Sequence, residues 1–437
     1  MSQTSRKRVL IVTYYWPPSG GVAVQRWLKF VKYLRDFGWE PIVYTPENPE
    51  SFYDDHSLFK DIPENIEVIK RPIWEPYDIY KWITGRKGKK LGLGFADDSG
   101  KKVGLAKLMV WIRGNILIPD PRVFWVRPSV KFLKRYLKQH PADAIVTTGP
   151  PHSMHLIGLN LKRKLNIPWL ADFRDPWTNI DFYHELRLTK FANWYHHRLE
   201  RKVVKTADHV VVVSQQMKRE FESLGSNKVF VLTNGFDTDD IPAGETQSND
   251  SFSICYVGTM NSARNPHVLW QALSRICAEN DEFAQKLRIQ MAGQIDISVT
   301  TAIKSYGLEK NFEHHGLLPH DRALALQKNA QILLLVINNT PNAKGIVTGK
   351  FFEYLAVGKQ ILTIGPTDSD IAEIVHETAS GDVIDYTDVE GATQTLVKYF
   401  NLFKQGNLTP EPKGIEKYSR KALTGRLSEI LNQITNG

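Results

Sequence analysis

The sequence is poor in cysteine and has no long apolar run. Its two cysteines, Cys255 and Cys277, lie 22 residues apart, without the short spacing of a metal site. This excludes a disulfide-based scaffold and fits a reducing cytoplasm. The apolar runs are far shorter than the roughly 18 residues that a membrane-spanning helix needs. The N-terminal run is about eight residues long and meets Pro17-Pro18 without a small-residue cleavage site, so it predicts a first β-strand rather than a signal peptide.

The sequence also lacks the motifs of nucleic-acid-binding modules. It has no zinc-finger spacing, no RNP motif and no basic region with heptads. The formal net charge of +9 therefore favours anionic lipid or phosphorylated ligands, and no nucleic-acid partner is expected. At 437 residues the chain is too long for one ordinary core and fits two domains of about 200 residues each.

Strand and helix signals alternate in two series. The predicted strands are continuous apolar runs, which is typical of parallel strands covered by helices on both faces. The first series predicts strands at RVLIVTYYW, EPIVYT, DAIVTTG, PWLADF, HVVVVS and VFVLTN, with helices near 22–37, 154–164 and 185–205. The second predicts strands at FSICYVGT, KLRIQMAG, ILLLVI and QILTI, with helices near 266–277, 321–328 and 417–434 and a short one from Thr348 to Gly358.

The polar stretch at 235–250, GFDTDDIPAGETQSND, interrupts this pattern and is typical of an interdomain linker. We therefore expect an α/β protein with two doubly wound, Rossmann-like domains facing across a cleft. The expected boundaries are 1–235, with a basic insertion at 75–125, then 251–415 and a final helix at 416–437. Ligands of open α/β sheets bind beyond the carboxyl ends of the strands, so the loops there hold the candidate site.

Three such loops in the first domain carry candidate residues. Gly20 and Gly21 precede a helix, where they either let the backbone approach an anion or form only a tight turn. His152 heads the next helix, as a partner for a substrate hydroxyl or as a helix cap. Asp172 and Arg174 belong either to a site or to a local ion-pair and turn cluster.

Basic residues follow the strands of the second domain. Gly258 is followed by Arg264, and the loop after ILLLVI carries Lys344 and Lys350. Three basic groups at one edge of a sheet suit a diphosphate. Lys350 lies in the first turn of a predicted helix, where the dipole disfavours a cation unless an anion binds there too. Glu353 stands among apolar neighbours, and a buried carboxylate is costly unless it is hydrogen-bonded.

Other polar motifs predict no metal site. The DSD sequence at 368–370 resembles a manganese-binding D-x-D motif, but it opens a helix after a strand, where Asp and Ser are common caps. The adjacent pairs His196-His197 and His314-His315 do not face the same way on a helix or strand, so neither pair predicts a joint site.

With these residues placed, the chain resembles the retaining glycosyltransferase family 4, of the GT-B fold and the bacterial cell-surface polysaccharide type. The stretch PPSGGVAVQRWLKFVKYL resembles the glycine-rich loop and first helix of bacterial members. YVGTMNSARNP occupies the place of the family's G-R-x-x-x-x-K phosphate segment, and GKFFEYLAVGKQIL resembles its donor-binding helix. The resemblance implies a GT-B architecture whose last helix packs back onto the first domain.

The resemblance also implies roles for the candidate residues. Glu353 matches a glutamate that accepts hydrogen bonds from the nucleotide ribose. Lys350 and Arg264 match positions that hold the diphosphate, and His152 matches a histidine that lies against the donor sugar. We predict His152, Arg264 and Lys350 as catalytic residues. The other predicted site residues are the donor-binding Gly20, Gly21, Gly258, Lys344, Gly349 and Glu353, and the acceptor- or sugar-binding Asp172 and Arg174.

Two positions depart from the family pattern. Gly345 stands where the family often has an earlier glutamate, and Thr259 stands where an arginine usually follows the glycine of the phosphate segment. Two alternatives to a transferase therefore stay open. One is a non-catalytic subunit that binds a sugar nucleotide or a glycan, and the other is a sugar-nucleotide epimerase with the GT-B fold.

The activity that the resemblance implies is transfer of a sugar from a nucleotide-diphosphate sugar to a lipid-linked saccharide or surface polysaccharide, with retention. No cofactor or metal is expected, because the leaving diphosphate can itself accept the acceptor's proton. Residues 86–113 carry eight basic residues against two acids, which suits an anionic membrane surface or an insertion helix packed on the first domain. We expect a cytoplasmic protein, with peripheral attachment to the inner face of the membrane as one alternative.

Overall fold

The computed structural model describes residues 6–50, 53–76, 103–181, 183–226, 228–240 and 250–436. The chain divides into two compact units. Unit 1 comprises Met1–Thr233 together with Arg420–Gly437, and unit 2 comprises Asn234–Ser419. No helix among the described residues is both long and apolar enough to cross a bilayer.

Unit 1 is built on a seven-stranded, all-parallel sheet with the order β3-β2-β1-β4-β5-β6-β7. Its strands are β1 (Lys7–Val12), β2 (Trp39–Pro46), β3 (Glu67–Arg71), β4 (Ala144–Gly149), β5 (Trp169–Phe173), β6 (His209–Val212) and β7 (Val229–Val231). Its helices include α1 (Val22–Leu34), α2 (Val103–Asn115), α3 (Val123–Gln139), α4 (Ser153–Leu165), α5 (Lys190–Thr206) and α6 (Gln215–Ser223). Separate hydrophobic clusters cover the two faces of the sheet, which explains the continuous apolar strands.

Unit 2 has a six-stranded parallel sheet with the order β10-β9-β8-β11-β12-β13. Its strands are β8 (Phe252–Val257), β9 (Leu287–Ala292), β10 (Phe312–His314), β11 (Ile332–Val336), β12 (Gln360–Ile364) and β13 (Gly381–Ile384). Its helices are α7 (His267–Glu279), α8 (Asp281–Lys286), α9 (Ile297–Ser305), α10 (His320–Asn329), α11 (Gly349–Val357), α12 (Asp370–Thr378) and α13 (Val389–Lys404). Two further clusters form its core.

The last helix, α14 (Arg420–Thr435), belongs to unit 1 and packs against α1. Leu423, Leu427 and Leu431 are buried in the same cluster as the apolar face of α1. The Lys7 ammonium donates to the Thr435 hydroxyl at 3.0 Å. The chain therefore completes its first unit only with its final residues.

The predicted α/β class with two doubly wound sheets is confirmed. The helix predicted near 185–205 begins instead at Lys190, because the Thr189 hydroxyl accepts the Ala192 N–H and caps it there. The amphipathic helix α3, which buries Trp125, Leu133 and Leu137, was not predicted. Of the basic segment 86–113, the part before residue 103 lies outside the described residues, as do residues 241–249 of the expected linker.

Candidate active site

Gly258 directly follows β8 in a conformation that favours glycine, with φ of +127°. Its N–H donates to the Ala292 carbonyl at 2.8 Å. A Cβ at position 258 would lie 2.7 Å from Lys350 Nζ. A Cβ on Gly293 would collide with the Gly258 carbonyl. Glycine at 258 therefore provides both the turn and the room for Lys350.

Lys350 lies in the first turn of α11 and folds over the ring of Tyr256. Its Nζ is 3.9 Å from the ring centroid, which is a close cation–π contact. Burial lowers the pKa of Lys350 from its ordinary value, although Tyr256 and Glu353 act in the opposite direction. An anion beside Nζ would offset this desolvation. Tyr256, two residues before Gly258, was missed in the sequence.

Arg264 lies in a 3₁₀ turn, Ser262–Arg264, after β8. Its Nε donates to the Asn338 side-chain oxygen at 2.6 Å, and its Nη1 donates to the Thr259 carbonyl at 3.2 Å. Nη2 makes no hydrogen bond to the described residues. The guanidinium is thus oriented by two internal partners and keeps one donor group for a ligand. Thr259 contributes only its carbonyl to this arrangement.

The N-terminus of α11 is uncapped. Thr348 occupies the predicted N-cap position, but its hydroxyl makes no capping hydrogen bond, and its Oγ1 is buried without a partner. The N–H groups of Gly349 and Lys350 have no acceptor among the described residues, and the first turn holds no acid. An anion at this point would satisfy the free donors and meet the positive end of the helix dipole.

Glu353 follows one turn further along α11 and is half-buried. Its carboxylate acts electrostatically on Lys350 and helps to keep that ammonium charged. The predicted end of this helix is also observed, because Gly358 takes the left-handed conformation with φ of +72°. One short helix therefore carries the Lys350 cation, free N–H donors and the Glu353 acceptor.

Lys344 is placed differently from the other basic candidates. It is exposed and forms an ion pair with Asp368. This pairing lowers the pKa of the Asp368 carboxyl. Ser369 caps α12 by accepting the Ala372 N–H, so the DSD sequence has its expected capping role. Among the described residues, Lys344 and Asp368 thus already neutralise each other.

In unit 1, Gly20 and Gly21 connect β1 to α1. The Gly20 N–H donates to the Tyr53 carbonyl at 2.9 Å, and a Cβ on Gly20 would collide with the Tyr53 ring. Gly21 has φ of +101° and stands at the N-cap of α1, which has no side-chain cap and no acid in its first turn. The start of α1 therefore has neither a side-chain cap nor an acid that would compete with an anion.

His152 is buried at the head of α4. Its ring stacks on Trp177 with a centroid distance of 4.9 Å, and its Nδ1 is buried without a hydrogen-bond partner. Burial, and then His155 and Arg174, hold the pKa of His152 well below its usual value. The imidazole is therefore neutral at neutral pH, with one ring nitrogen left for a hydroxyl group. It does not make a capping hydrogen bond.

Asp172 is fully buried and engaged by internal partners. Arg26 Nη2 donates to it at 2.8 Å, Trp27 Nε1 at 2.7 Å and the Thr148 hydroxyl at 2.9 Å. Burial alone would raise the pKa of Asp172, but Arg26 and these hydrogen bonds hold it below the usual value. These contacts join α1 to the sheet. Of the two alternatives for Asp172, a site or a local ion-pair cluster, the structure shows the ion-pair cluster.

Arg174 links the two candidate loops of unit 1. Its guanidinium donates to the Pro150 carbonyl, two residues before His152, and to the Ala23 carbonyl at 3.2 Å. Its Nε is buried without a partner. Burial lowers the pKa of Arg174 from its usual value. Unit 1 therefore brings Gly21, His152 and Arg174 to one edge of its sheet.

A small cavity beside His152 includes residues that sequence reasoning missed. It encloses about 130 Å³, and Tyr15, Asp120, Arg122 and Trp177 contribute to its lining. Asp120 holds the start of α4 by accepting the Ser153 N–H at 2.8 Å. In the sequence, the charged residues Asp120 and Arg122 of the DPR stretch after Pro119 were the signal that could have identified this part of the site.

Known proteins resemble this chain in fold and, over part of its length, in sequence. The model of Glycosyltransferase Family 4 matches residues 95–240. No curated protein matches the sequence. Among solved structures, sucrose-phosphate synthase from Thermosynechococcus elongatus has a TM-score of 0.62 at 13% identity, with 98% of this chain and 99% of that chain covered.

Two further neighbours resemble the chain over nearly its whole length. WaaG, a glycosyltransferase involved in lipopolysaccharide biosynthesis, has a TM-score of 0.53 at 14% identity, with 98% of both chains covered. Anabaena Alr3699/HepE, solved in complex with UDP-glucose, has a TM-score of 0.52 at 14% identity, also with 98% of both chains covered.

The class that these findings define is that of α/β glycosyltransferases with the GT-B fold. Within that class, the family match over residues 95–240 and the fold of both units confirm the resemblance to glycosyltransferase family 4.

Proposed function

We propose that the protein transfers a sugar from a nucleotide-diphosphate sugar to a lipid-linked saccharide or surface polysaccharide, with retention of anomeric configuration. The start of α11 carries the proposal. This helix start carries Lys350, the unsatisfied Thr348 hydroxyl and two free N–H groups, with Glu353 one turn further on. This arrangement suits a diphosphate followed by a ribose. A structural neighbour was solved with UDP-glucose.

Unit 2 would supply most of the electrostatic stabilisation. As the bond to the anomeric carbon breaks, negative charge develops on the diphosphate. Lys350, Arg264 and the α11 N–H groups are held in place by internal contacts before the reaction. Preorganised donors of this kind stabilise developing charge without reorganisation. The acceptor's proton passes to a diphosphate oxygen on the same face of the sugar, so retention needs no protein nucleophile.

In unit 1, the neutral His152 imidazole would hydrogen-bond a hydroxyl of the donor sugar, because its Nδ1 is buried and unpartnered. Arg174 would fix the two loops around this point. Asp172 would act only through Arg26, as a positioning residue for α1. The proposal includes no metal, since the basic groups and helix donors neutralise the diphosphate.

A non-catalytic sugar-nucleotide-binding subunit is the second candidate, and the environment of Gly345 favours it. The Gly345 and Ile346 N–H groups already donate to Asn342 and Ala343. A contact to the donor-sugar hydroxyls that replaces the one from the family's earlier glutamate must therefore come from the N–H groups of residues 347–349. Lys344 is also engaged, with Asp368.

Incubation with UDP-, GDP- and TDP-sugars tests these alternatives, with hydrolysis and transfer to a lipid-linked saccharide read separately. A transferase moves the sugar, and NMR of the product shows whether the anomeric configuration is retained. Nucleotide binding without turnover would identify the binding subunit, and acceptor-free isomerisation of the donor sugar would identify an epimerase. Activity that a chelator abolishes and manganese restores would contradict the metal-free mechanism.

A further inference from the structure

The charged side chains of helices α3, α4 and α5 of unit 1 are almost all basic. Together they hold thirteen lysines and arginines and a single acid, Glu200. Glu200 is buried, and its carboxylate accepts hydrogen bonds from Thr178 and Trp177. It therefore does not neutralise the outer surface. The rest of the chain carries acids in nearly equal number to its bases, since the totals are 56 and 47.

These helices enclose a groove of about 740 Å³, which we call the basic groove. Its apolar lining comes from Val and Leu side chains of all three helices, including Val123, Val130, Leu156 and Leu199. Eight cationic side chains also line it: Arg127, Lys131, Lys134, Arg135, Lys138, Arg163, Lys164 and Lys202. Its composition is therefore apolar and cationic at once.

Among the described residues, none of these eight side chains has an ion-pair partner. Some other basic residues of unit 1 do have an ion-pair partner, as Lys162 of α4 has in Asp208 at 2.8 Å. Eight like charges around one groove repel one another unless anions collect there. The basic groove is thus complementary to a dense array of negative charge.

Large aromatic side chains stand exposed on α5. Phe191, Trp194 and Tyr195 are 68%, 53% and 36% exposed, and Tyr195 also lines the groove. Arg198 lies 5.4 Å from the Trp194 ring on the same helix face. Exposed Phe and Trp beside Arg and Lys are typical of helices that lie in a lipid headgroup region.

We propose that the basic groove and the aromatic face of α5 form a docking surface for an anionic phospholipid bilayer. The cationic rim would hold lipid phosphates, the apolar lining would face acyl chains, and Phe191 and Trp194 would enter the headgroup layer. A polyanion without apolar parts, such as duplex DNA, would use the charges and leave the aromatic residues in water. This surface differs from the segment 86–113 suggested by sequence.

Binding to vesicles tests the proposal without any sugar nucleotide, so its outcome is independent of the proposed transferase activity. The full-length protein is sedimented with phosphatidylcholine vesicles that contain increasing phosphatidylglycerol. Partitioning should rise with the anionic lipid and fall with salt, because the attraction is screened within about 10 Å at 0.1 M salt.

The groove variant replaces four side chains of α3: Lys131→Gln, Lys134→Gln, Arg135→Gln and Lys138→Gln. Each cation near an anionic leaflet is worth about a fivefold gain in partitioning, so replacing all four should lower partitioning by about a hundredfold or more. The control removes the same number of charges from exposed positions of unit 2: Lys304→Gln, Lys310→Gln, Arg322→Gln and Lys398→Gln. The control should bind like the wild type.

The aromatic contribution is measured with Phe191→Ser combined with Trp194→Ser, which should weaken binding at high salt as well as at low salt. If the groove variant melts below its control, Arg163→Gln, Lys164→Gln and Lys202→Gln repeat the test from α4 and α5.

Equal partitioning of groove variant and control would overturn the proposal. So would loss of binding only when Lys87, Lys89, Lys90, Lys101 and Lys102 are replaced by Gln. A wild type that ignores anionic vesicles but binds duplex DNA through the groove residues would also overturn it.

Discussion

We propose that Lys350 and Glu353 contribute to binding of the same ligand. They lie three residues apart on α11, so they share one face of the helix. Glu353 helps to keep Lys350 charged although burial lowers the pKa of that ammonium. A diphosphate at the helix start would add a second compensating charge. We therefore expect nucleotide binding to depend on both residues, in different ways.

Glu353→Gln should weaken binding of the nucleoside diphosphate by about 1–3 kcal/mol, because a charge-assisted hydrogen bond to the ribose becomes neutral. Calorimetry should give the same loss with and without the sugar. Glu373→Gln, an exposed glutamate on α12, is the control. Unchanged affinity of Glu353→Gln for the free nucleotide would rule out the ribose contact.

Lys350→Ala and Arg264→Ala should each reduce turnover more than they reduce binding of the bare nucleoside. In the proposed mechanism, both cations act on diphosphate charge that grows in the transition state, whereas the nucleoside lacks that charge. The loss of turnover is measured from initial rates and the loss of nucleoside affinity from titrations on the same preparations. Lys310→Ala, an exposed lysine of unit 2, should change neither quantity. Equal losses in turnover and nucleoside binding would show general damage to the site.

The β8–α11 junction depends on a glycine as well as on charge. Gly258→Ala would place a methyl group 2.7 Å from Lys350 Nζ and a side chain at φ of +127°. We expect weaker nucleoside-diphosphate binding and a loss of about 1–3 kcal/mol in unfolding free energy. The matched control is Gly307→Ala, with φ of +72° and no atom within 4 Å of the added Cβ. The control should strain the backbone without affecting binding.

The β4–α4 junction should make unit 1 sensitive to acid. Burial lowers the pKa of His155 to about 3, and that of His152 also falls. In the unfolded chain both histidines regain their ordinary pKa of about 6.5 and take up protons below that pH, whereas in the folded protein they stay neutral. The free energy of unfolding should therefore fall as the pH drops below about 6.5. At pH 5, His155 alone should cost about 2 kcal/mol.

Hydrogen exchange on unit 1 peptides at pH 7 and pH 5 measures this effect. His155→Asn should remove about 2 kcal/mol of the pH-dependent loss, whatever its stability at pH 7. His197→Asn, at an exposed position of α5, should leave the loss unchanged. A pH dependence that is identical in the wild type and His155→Asn would contradict the assignment.

For the whole molecule, the two units have separate cores, and only unit 1 needs the end of the chain. Ending the chain at Ser419 removes the buried Leu423, Leu427 and Leu431. Each buried leucine is worth about 1.5–3 kcal/mol, and a domain is stable by only about 5–15 kcal/mol. We therefore expect unit 1 to lose its hydrogen-exchange protection while unit 2 keeps its own. A chain that ends at Thr435 should retain both.

Local sequence signals were sufficient to predict the α/β architecture of both units. Continuous apolar runs predicted the parallel strands, because a strand covered on both faces has no polar side. The span of α11 was predicted from Thr348 and Gly358, since the left-handed φ at a helix end depends mainly on the residue itself. The glycine loops and the basic residues after β8 and β11 were found in the same way.

The partners of charged side chains were decided by the tertiary structure. Asp172 is paired with Arg26, which is 146 residues away, and Lys344 pairs with Asp368 rather than staying open to a diphosphate. Thr348 occupies a cap position without capping. The basic side chains of α3, α4 and α5 line one groove only because the fold places these helices side by side. Periodicity and local motifs carry information about residues that are close together in the sequence. Ion pairs and surfaces depend on contacts between residues that are far apart in the sequence, so only the tertiary structure decides them.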